Sequence, residues 1–442
     1  MNTPKQLSKK ETVISLMIIG MLFFVFGFVT WINAILIPYF KIACELNNFQ
    51  SYLVTFAFYI SYLLFALPAS SLLKRKGFKK GMMIGFFTMA GGAAVFVLAA
   101  LYRKYELFLT GLFMIGTGLT ILQTAANPYI TILGPKESAA QRISIVGICN
   151  KAAGILAPIL LAAVILKPGD TSLFKQLSVM SGIEKSHALD ELIRRVMVPY
   201  SCAAVVLFLL GTFVRFSTLP EIDTEHETNE IADLNASKKS VFQFPHLILG
   251  AIAIFFHVGS QVIAVDTVIG YASSMHIPLP EAKVFPSYTL SCTIIGYILG
   301  IIAIPKYIKQ LHALRICTFL GLLLSMLILF TKGNVQWLGH TTDISICFVV
   351  MLGLANSLIW AGIWPLALDG LGRFTKAGAS LLIMGLSGNA ILPLIYGYIG
   401  DHHNLRTAYV ILIPCYAYLI FFAMIGYRIR SKAVSIATGK HL

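Results

Sequence analysis

Apolar residues in this chain come in runs of twenty or so, separated by short polar and basic loops, and the runs recur almost from end to end. A helix needs about 20 apolar residues to cross the hydrocarbon core of a bilayer. On that measure twelve runs qualify, at 13–40, 51–73, 81–101, 107–133, 143–166, 196–217, 245–272, 286–305, 315–331, 344–368, 378–400 and 408–427. The pattern predicts an all-α membrane protein with twelve transmembrane helices and both chain ends on one side. Lys and Arg are about twice as frequent in the loops on that side as in the opposite loops. Many of the opposite ones sit in one long loop, 167–195, where the charge rule has little force. Both termini are therefore expected to be cytoplasmic.

Polar residues that interrupt the runs carry the chemistry. Span 4 contains Gln123-Thr124-Ala125-Ala126-Asn127-Pro128-Tyr129. No water satisfies a side-chain amide in hydrocarbon, so Gln123 and Asn127 must face protein or a wet cavity. Four residues apart, they share one helix face. Pro128 removes a backbone donor beside them and frees the carbonyl four residues earlier. Such a group could hydrogen-bond a neutral, hydroxyl-rich solute, or it could hold neighbouring helices together.

The runs also divide into halves. Residues 218–244 form the longest polar segment on the side of the termini, with Glu221, Asp223, Glu225, Glu227, Glu230 and Asp233 ahead of Lys238 and Lys239. They read as a linker between an N-terminal six-helix bundle, 1–217, and a C-terminal one, 245–442. Asn127-Pro128, Gly134, Asn150, Gly154 and Pro158 in spans 4 and 5 find counterparts in Trp364-Pro365, Gly370, Gly388, Asn389 and Pro393 in spans 10 and 11. The basic loop Lys74 to Lys80 likewise corresponds to Pro305 to Arg315. Parallel six-span halves with helix breakers in matching places are the architecture of a secondary transporter that rocks around a central site.

Composition narrows the alternatives. The chain has 442 residues, 57% hydrophobic and only 12% charged, with a mean hydropathy of +0.80. A net charge of +15 would suggest nucleic acid for a soluble domain; here the basic residues lie in loops between spans, so no nucleic-acid partner is expected and the lipid bilayer is. The first apolar run is too long for a cleaved signal peptide and reads as a retained span. Seven scattered cysteines argue against a disulfide framework and show no metal-like spacing. No nucleophile–base pair or phosphate loop appears within the spans, so neither an enzyme nor a resident cofactor is expected.

The motifs resemble a known family. Phe24 to Pro38 with Trp31 and Asn33, Gln123 to Tyr129 with Gly134-Pro135, and Asn356-Ser357 through Asp369-Gly370-Leu371-Gly372 resemble the major facilitator superfamily, and within it the fucose/galactose/glucose symporter family. The resemblance covers essentially the whole chain and implies the major facilitator fold, two pseudo-symmetric six-helix bundles. It also implies uptake of a monosaccharide across a bacterial inner membrane, coupled to a cation gradient. In the basic loop, Arg75 and Gly77 keep the superfamily pattern, while Lys74 stands where its acid usually is. Proton-coupled members resemble Glu-Thr-Ala-Ala-Asn-Pro in span 4 and Asn-Asp in span 1, where this chain has Gln123 and Asn33-Ala34. A glutamine cannot take up and release a proton at physiological pH, so proton and sodium both stay open as the co-transported ion.

The expected substrate contacts are Gln123, Asn127, Asn150, Gln261, Asn356, Trp360 and Asn33. Asn356, Trp360 and Trp364 fall at i, i+4 and i+8 as one stripe, and an indole face can stack on the C–H face of a pyranose. Asp266, the carboxylate within the apolar part of span 7, and His257 are the coupling candidates; sugar binding and a structural role are the alternatives for Asp266, and helix packing for His257. An ionised carboxylate surrounded by hydrocarbon is costly, so Asp266 must be paired, hydrated or neutral. Lys151, the basic residue inside an apolar run, is placed near the cytoplasmic end of span 5, leaving a centre of neutral amides. The leading expectation is a monomeric, cation-coupled importer of a neutral hexose such as glucose or galactose. Fucose or N-acetylglucosamine as the sugar, and a non-transporting sugar receptor, are the alternatives.

Overall fold

A computed structural model describes residues 9–132, 139–177, 179–217, 238, 240–304, 306–337 and 340–430. Twelve helical spans cross it among the described residues. A helix pairs every backbone N–H and C=O within its own segment, which is why these apolar runs become helices in lipid. Spans 2 to 6 are Leu53–Lys76, Phe78–Tyr102, Tyr105–Ile132, Ala139–Ile165 and Met197–Phe216. Spans 8 and 9 are Phe285–Ala303 and Gln310–Phe330.

The remaining spans are broken. Span 1 is Lys9–Trp31 followed by Asn33–Ala43, and span 7 is Pro245–Asp266 followed by Val268–Ser274. Span 10 is Ser345–Asn356 and then Ile359–Leu368. Span 11 runs through Thr375–Met384, a 3-10 turn at Gly385–Ser387 and Gly388–His402, and span 12 through a 3-10 turn at Thr407–Ile411 and Leu412–Met424. Spans 1 and 7, the first of each bundle, thus break near the same point, and a shorter second segment follows in each. Span 4 stays helical through Pro128 to Ile132.

The helix pairing repeats between halves. Span 1 lies on span 5 and span 7 on span 11; span 2 lies on span 4 and span 8 on span 10; span 3 lies on spans 4 and 6, and span 9 on spans 10 and 12. Glycines mark the tightest of these contacts. A Cβ at Gly27 would lie 2.0 Å from the Asn150 carbonyl oxygen, and one at Gly388 only 1.9 Å from that of Phe255. One at Gly116 would meet the Phe58 carbonyl, and one at Gly353 that of Thr289, each at 1.9 Å. These are the pairs 1–5, 11–7, 4–2 and 10–8, so two bundles of six use the same backbone approach at equivalent places. The bundles meet where span 5 crosses span 8 and span 2 crosses span 11.

The face carrying the span 2–3 loop and Arg430 is called here the terminal face, and the opposite one the far face. Loop 167–195 on the far face folds into two helices, Asp170–Gln176 and Gly182–Arg194. A nearly buried ion pair, Asp170 to Arg195 at 2.7 Å, fixes them, and Arg195 also donates to the Ile165 carbonyl at 3.1 Å. A short antiparallel hairpin, Asn334–Trp337 with His340–Asp343, joins spans 9 and 10 on the same face. The charge pattern gave no sign of either cap. Most of the expected linker, 218–244, lies outside the described residues; Lys238 near its end holds its ammonium 3.8 Å above the Phe244 ring.

Candidate functional site

Between the bundles, at mid-depth, lies a cavity of about 130 Å³. About 10–15 Å³ of such space holds one water, so it has room for roughly ten water-sized groups, the scale of a single sugar ring with its hydroxyls. Its wall draws on spans 1, 2, 4 and 5 of the first bundle and spans 7, 8, 10 and 11 of the second. Toward the terminal face it reaches Ile130 and Ile143. Across the far face the bundles are joined. The Asp401 carboxylate at the end of span 11 accepts from Asn48 N (3.0 Å), Asn48 Nδ2 (2.7 Å) and Phe49 N (2.8 Å) of the span 1–2 loop. Tyr52 and Tyr396 meet edge to face just below.

Six of the residues singled out from the sequence share this wall: Gln123, Asn127, Asn150, Gln261, Trp360 and His257. Gln123 donates through Nε2 to the Tyr62 hydroxyl at 3.0 Å, which leaves its carbonyl oxygen for a guest. Asn150 accepts from Trp31 Nε1 and donates to the Phe23 carbonyl, both at 3.2 Å, so span 5 is tied to span 1 directly at the cavity. Trp360 and Trp364 stack at 5.1 Å between ring centroids with 24° between planes, and both indoles line the cavity. Asn389 joins them with its side-chain oxygen buried and without a hydrogen-bond partner among the described residues. A buried carbonyl oxygen left unpaired costs about 1–3 kcal/mol, so a hydroxyl donor arriving there is favoured.

Three expected site residues lie elsewhere. Asn33 follows Trp31 by two residues, about 200° around a helix. Trp31 faces the cavity, so Asn33 turns away, into an apolar crevice lined by Leu160, Leu161 and Leu207. Asn356 was expected in one stripe with Trp360 and Trp364, but the helix stops at Asn356 and restarts at Ile359. The break swings its amide toward span 12, where Oδ1 accepts from the Tyr416 hydroxyl at 3.0 Å. Asp266 is the last residue of its helix, one turn past Val262 on the wall, and is absent from the cavity lining. It is buried, and neither carboxylate oxygen has a hydrogen-bond partner among the described residues.

Lys151 is the main correction. The apolar run suggested a position near the end of span 5, yet the helix begins at Ala139. Twelve residues at 1.5 Å each carry Lys151 about 18 Å inward, to the middle of the protein. Its Nζ donates to Gln261 Oε1 at 3.1 Å and lies 4.2 Å from the centroid of the Trp31 ring. Among the described residues of the wall it is the one lysine or arginine, and none is Asp or Glu. Tyr59 and Tyr297 also line the cavity and were not singled out. Counting depth from the helix start would have found Lys151; nothing local in the sequence marks the tyrosines.

Two bundles with the same internal pairing, a cavity between them studded with amides and a closure on one face define a membrane transporter that exposes its site to the two sides in turn. The comparisons agree. The sequence profile of the Major Facilitator Superfamily matches residues 19–393, and the chain belongs to that family. It is 33% identical to a glucose/galactose transporter of Brucella abortus over 422 residues, 95% of each chain. It is 29% identical to the L-fucose-proton symporter of Escherichia coli strain K12 over 431 residues, 96% of this chain and 95% of that one. The crystal structure of FucP, a Major Facilitator Superfamily transporter in the outward conformation, superposes with a TM-score of 0.71 at 26% identity, covering 94% of this chain and 99% of that one. The protein is a transporter, not an enzyme.

Proposed function

We propose that the protein imports a neutral monosaccharide of hexose size, driven by a proton moving in the same direction, across a bacterial inner membrane with both termini in the cytoplasm. One observation carries the reading: five amides and three indoles, with a single lysine and no carboxylate among the described residues, converge on one cavity of single-sugar size between two bundles. Amides pair with hydroxyls without preferring a charge, and an indole covers the apolar face of a pyranose. Gln123, Asn127, Asn150 and Gln261 hold the hydroxyls, Trp360 stacks, and Asn389 adds an acceptor. The names of the relatives support the substrate class and the proton. The excess of Lys and Arg on the terminal face supports the orientation. With the far face latched and the wall reaching toward the terminal face, the site is turned to the cytoplasm.

The test is counterflow in proteoliposomes loaded with unlabelled sugar, with labelled glucose, galactose, L-fucose and N-acetylglucosamine outside. Saturable exchange of a neutral hexose is expected. L-fucose is the second reading, favoured by the symporter relative, and exchange of fucose alone would select it. Binding without exchange would make the protein a receptor and refute import.

A further inference from the structure

We propose that Lys151 is the proton-binding group of the transport cycle, its proton occupancy set by whether Gln261 of the opposite bundle lies within hydrogen-bond reach. The inference rests on the proposed sugar–proton symport. Lys151 is 6% exposed and stands at mid-depth on span 5. A buried ammonium without a counter-charge is costly. Here two contacts hold the charged form, and they come from different bundles: the Trp31 ring on span 1 and the Gln261 carbonyl on span 7. Rocking moves span 7 relative to spans 1 and 5, so it makes or breaks one of the two while leaving the other in place.

Proton affinity therefore differs between the two conformations, which is what linkage between ion and conformation requires. The step balances simply: Nζ takes a proton from water while the site faces one side, and returns it to water on the other. No other reactant is needed. A sugar hydroxyl that accepts from the Lys151 ammonium while donating to the Gln261 carbonyl favours the charged form when sugar is bound, which links proton and sugar in the same direction. The other titratable groups facing the cavity are His257 of span 7, Tyr297 of span 8 and Tyr59 of span 2. Spans 1, 4, 10 and 11 contribute none to the described wall. Asp266 is one turn beyond it.

The experiment uses the full chain in liposomes with an imposed pH gradient and the neutral hexose that the wild type exchanges best. One proton per sugar supports up to about tenfold accumulation per pH unit, the factor equivalent to one pKa unit. The wild type is expected to approach that limit. Lys151→Gln, which cannot titrate, and Lys151→Arg, which stays charged, are expected to equilibrate sugar without accumulating it, at slower exchange that no longer varies with pH. Sugar-dependent change in tryptophan fluorescence, reporting Trp31, Trp360 and Trp364, checks that the site is folded. Gradient-driven accumulation persisting in both variants would overturn the proposal. So would loss of binding in both, which would make Lys151 a sugar contact, or transfer of the pH sensitivity to His257→Gln. A wild type that exchanges no neutral hexose would refute the proposed function instead.

Discussion

Removing the Asp401 carboxylate should open the far face. That group receives two backbone N–H donors and one side-chain amide from Asn48 and Phe49, at 2.7 to 3.0 Å, and it joins the end of span 11 to the span 1–2 loop of the other bundle. Hydrogen bonds to a charged acceptor reach about 1.5–3 kcal/mol when buried, but Asp401 is exposed and water competes for every donor. At about 0.5 kcal/mol apiece, the low end for a net hydrogen bond, the three together favour the closed far face by about 1.5 kcal/mol. Since about 1.4 kcal/mol is a factor of ten, Asp401→Ala should change the closed-to-open ratio roughly tenfold. Asp401→Asn keeps one acceptor oxygen and should shift it less. The assay is electron–electron double resonance on a cysteine-free background labelled at Lys104→Cys and His403→Cys, one far-face site on each bundle. A long-distance population should grow in Asp401→Ala and less in Asp401→Asn. Unchanged distance distributions would mean that the latch does not set the equilibrium and would refute this reasoning.

Further outcomes follow from the packing and the wall. Gly27→Ala forces a methyl to within 2.0 Å of the Asn150 carbonyl, and such overpacking costs about 1–3 kcal/mol; thermal unfolding in detergent should show it, while Gly182→Ala, with nothing within 4 Å, should leave the melting temperature unchanged. Asp170→Ala leaves Arg195 in the far-face cap with the exposed Glu191 at 3.5 Å and the Ile165 carbonyl, so the loss of one charged hydrogen bond, about 1.5–3 kcal/mol, should lower the melting temperature. Trp360→Ala should weaken sugar binding roughly tenfold, from about 0.5–1.5 kcal/mol of ring stacking plus lost burial, with Trp360→Phe intermediate; titration of the purified protein with sugar reads both.

The sequence announces the large features because lipid leaves so few solutions. Twelve apolar runs predict twelve spans, and the series from Asn127 to Pro158 repeats from Trp364 to Pro393 in the paired spans of the second bundle, although spans 4 and 5 run unbroken through their prolines while spans 10 and 11 are interrupted. Gln123, Asn127, Asn150 and Gln261 were readable for the same reason: an amide at that depth needs a partner. Side-chain direction past a helix break was not readable. Asn356 left its stripe when the helix stopped beside it; Asn33 lies on the opposite face of span 1 from Trp31, and nothing in the sequence says which of those two faces points inward. Lys151 was misjudged because an apolar run begins later than the helix that contains it. The tie from Asp401 to Asn48 joins residues more than 350 positions apart, and no local pattern encodes it.

The central claim is that a neutral sugar occupies the cavity between the bundles, held by amides of both. Counterflow of labelled hexose by the wild type, Gln123→Leu and Gln261→Leu tests it most directly. The account predicts saturable exchange in the wild type and an apparent affinity weakened at least tenfold by either substitution, in protein that still unfolds cooperatively on heating. Full-affinity exchange in both variants would place the sugar elsewhere and contradict the account.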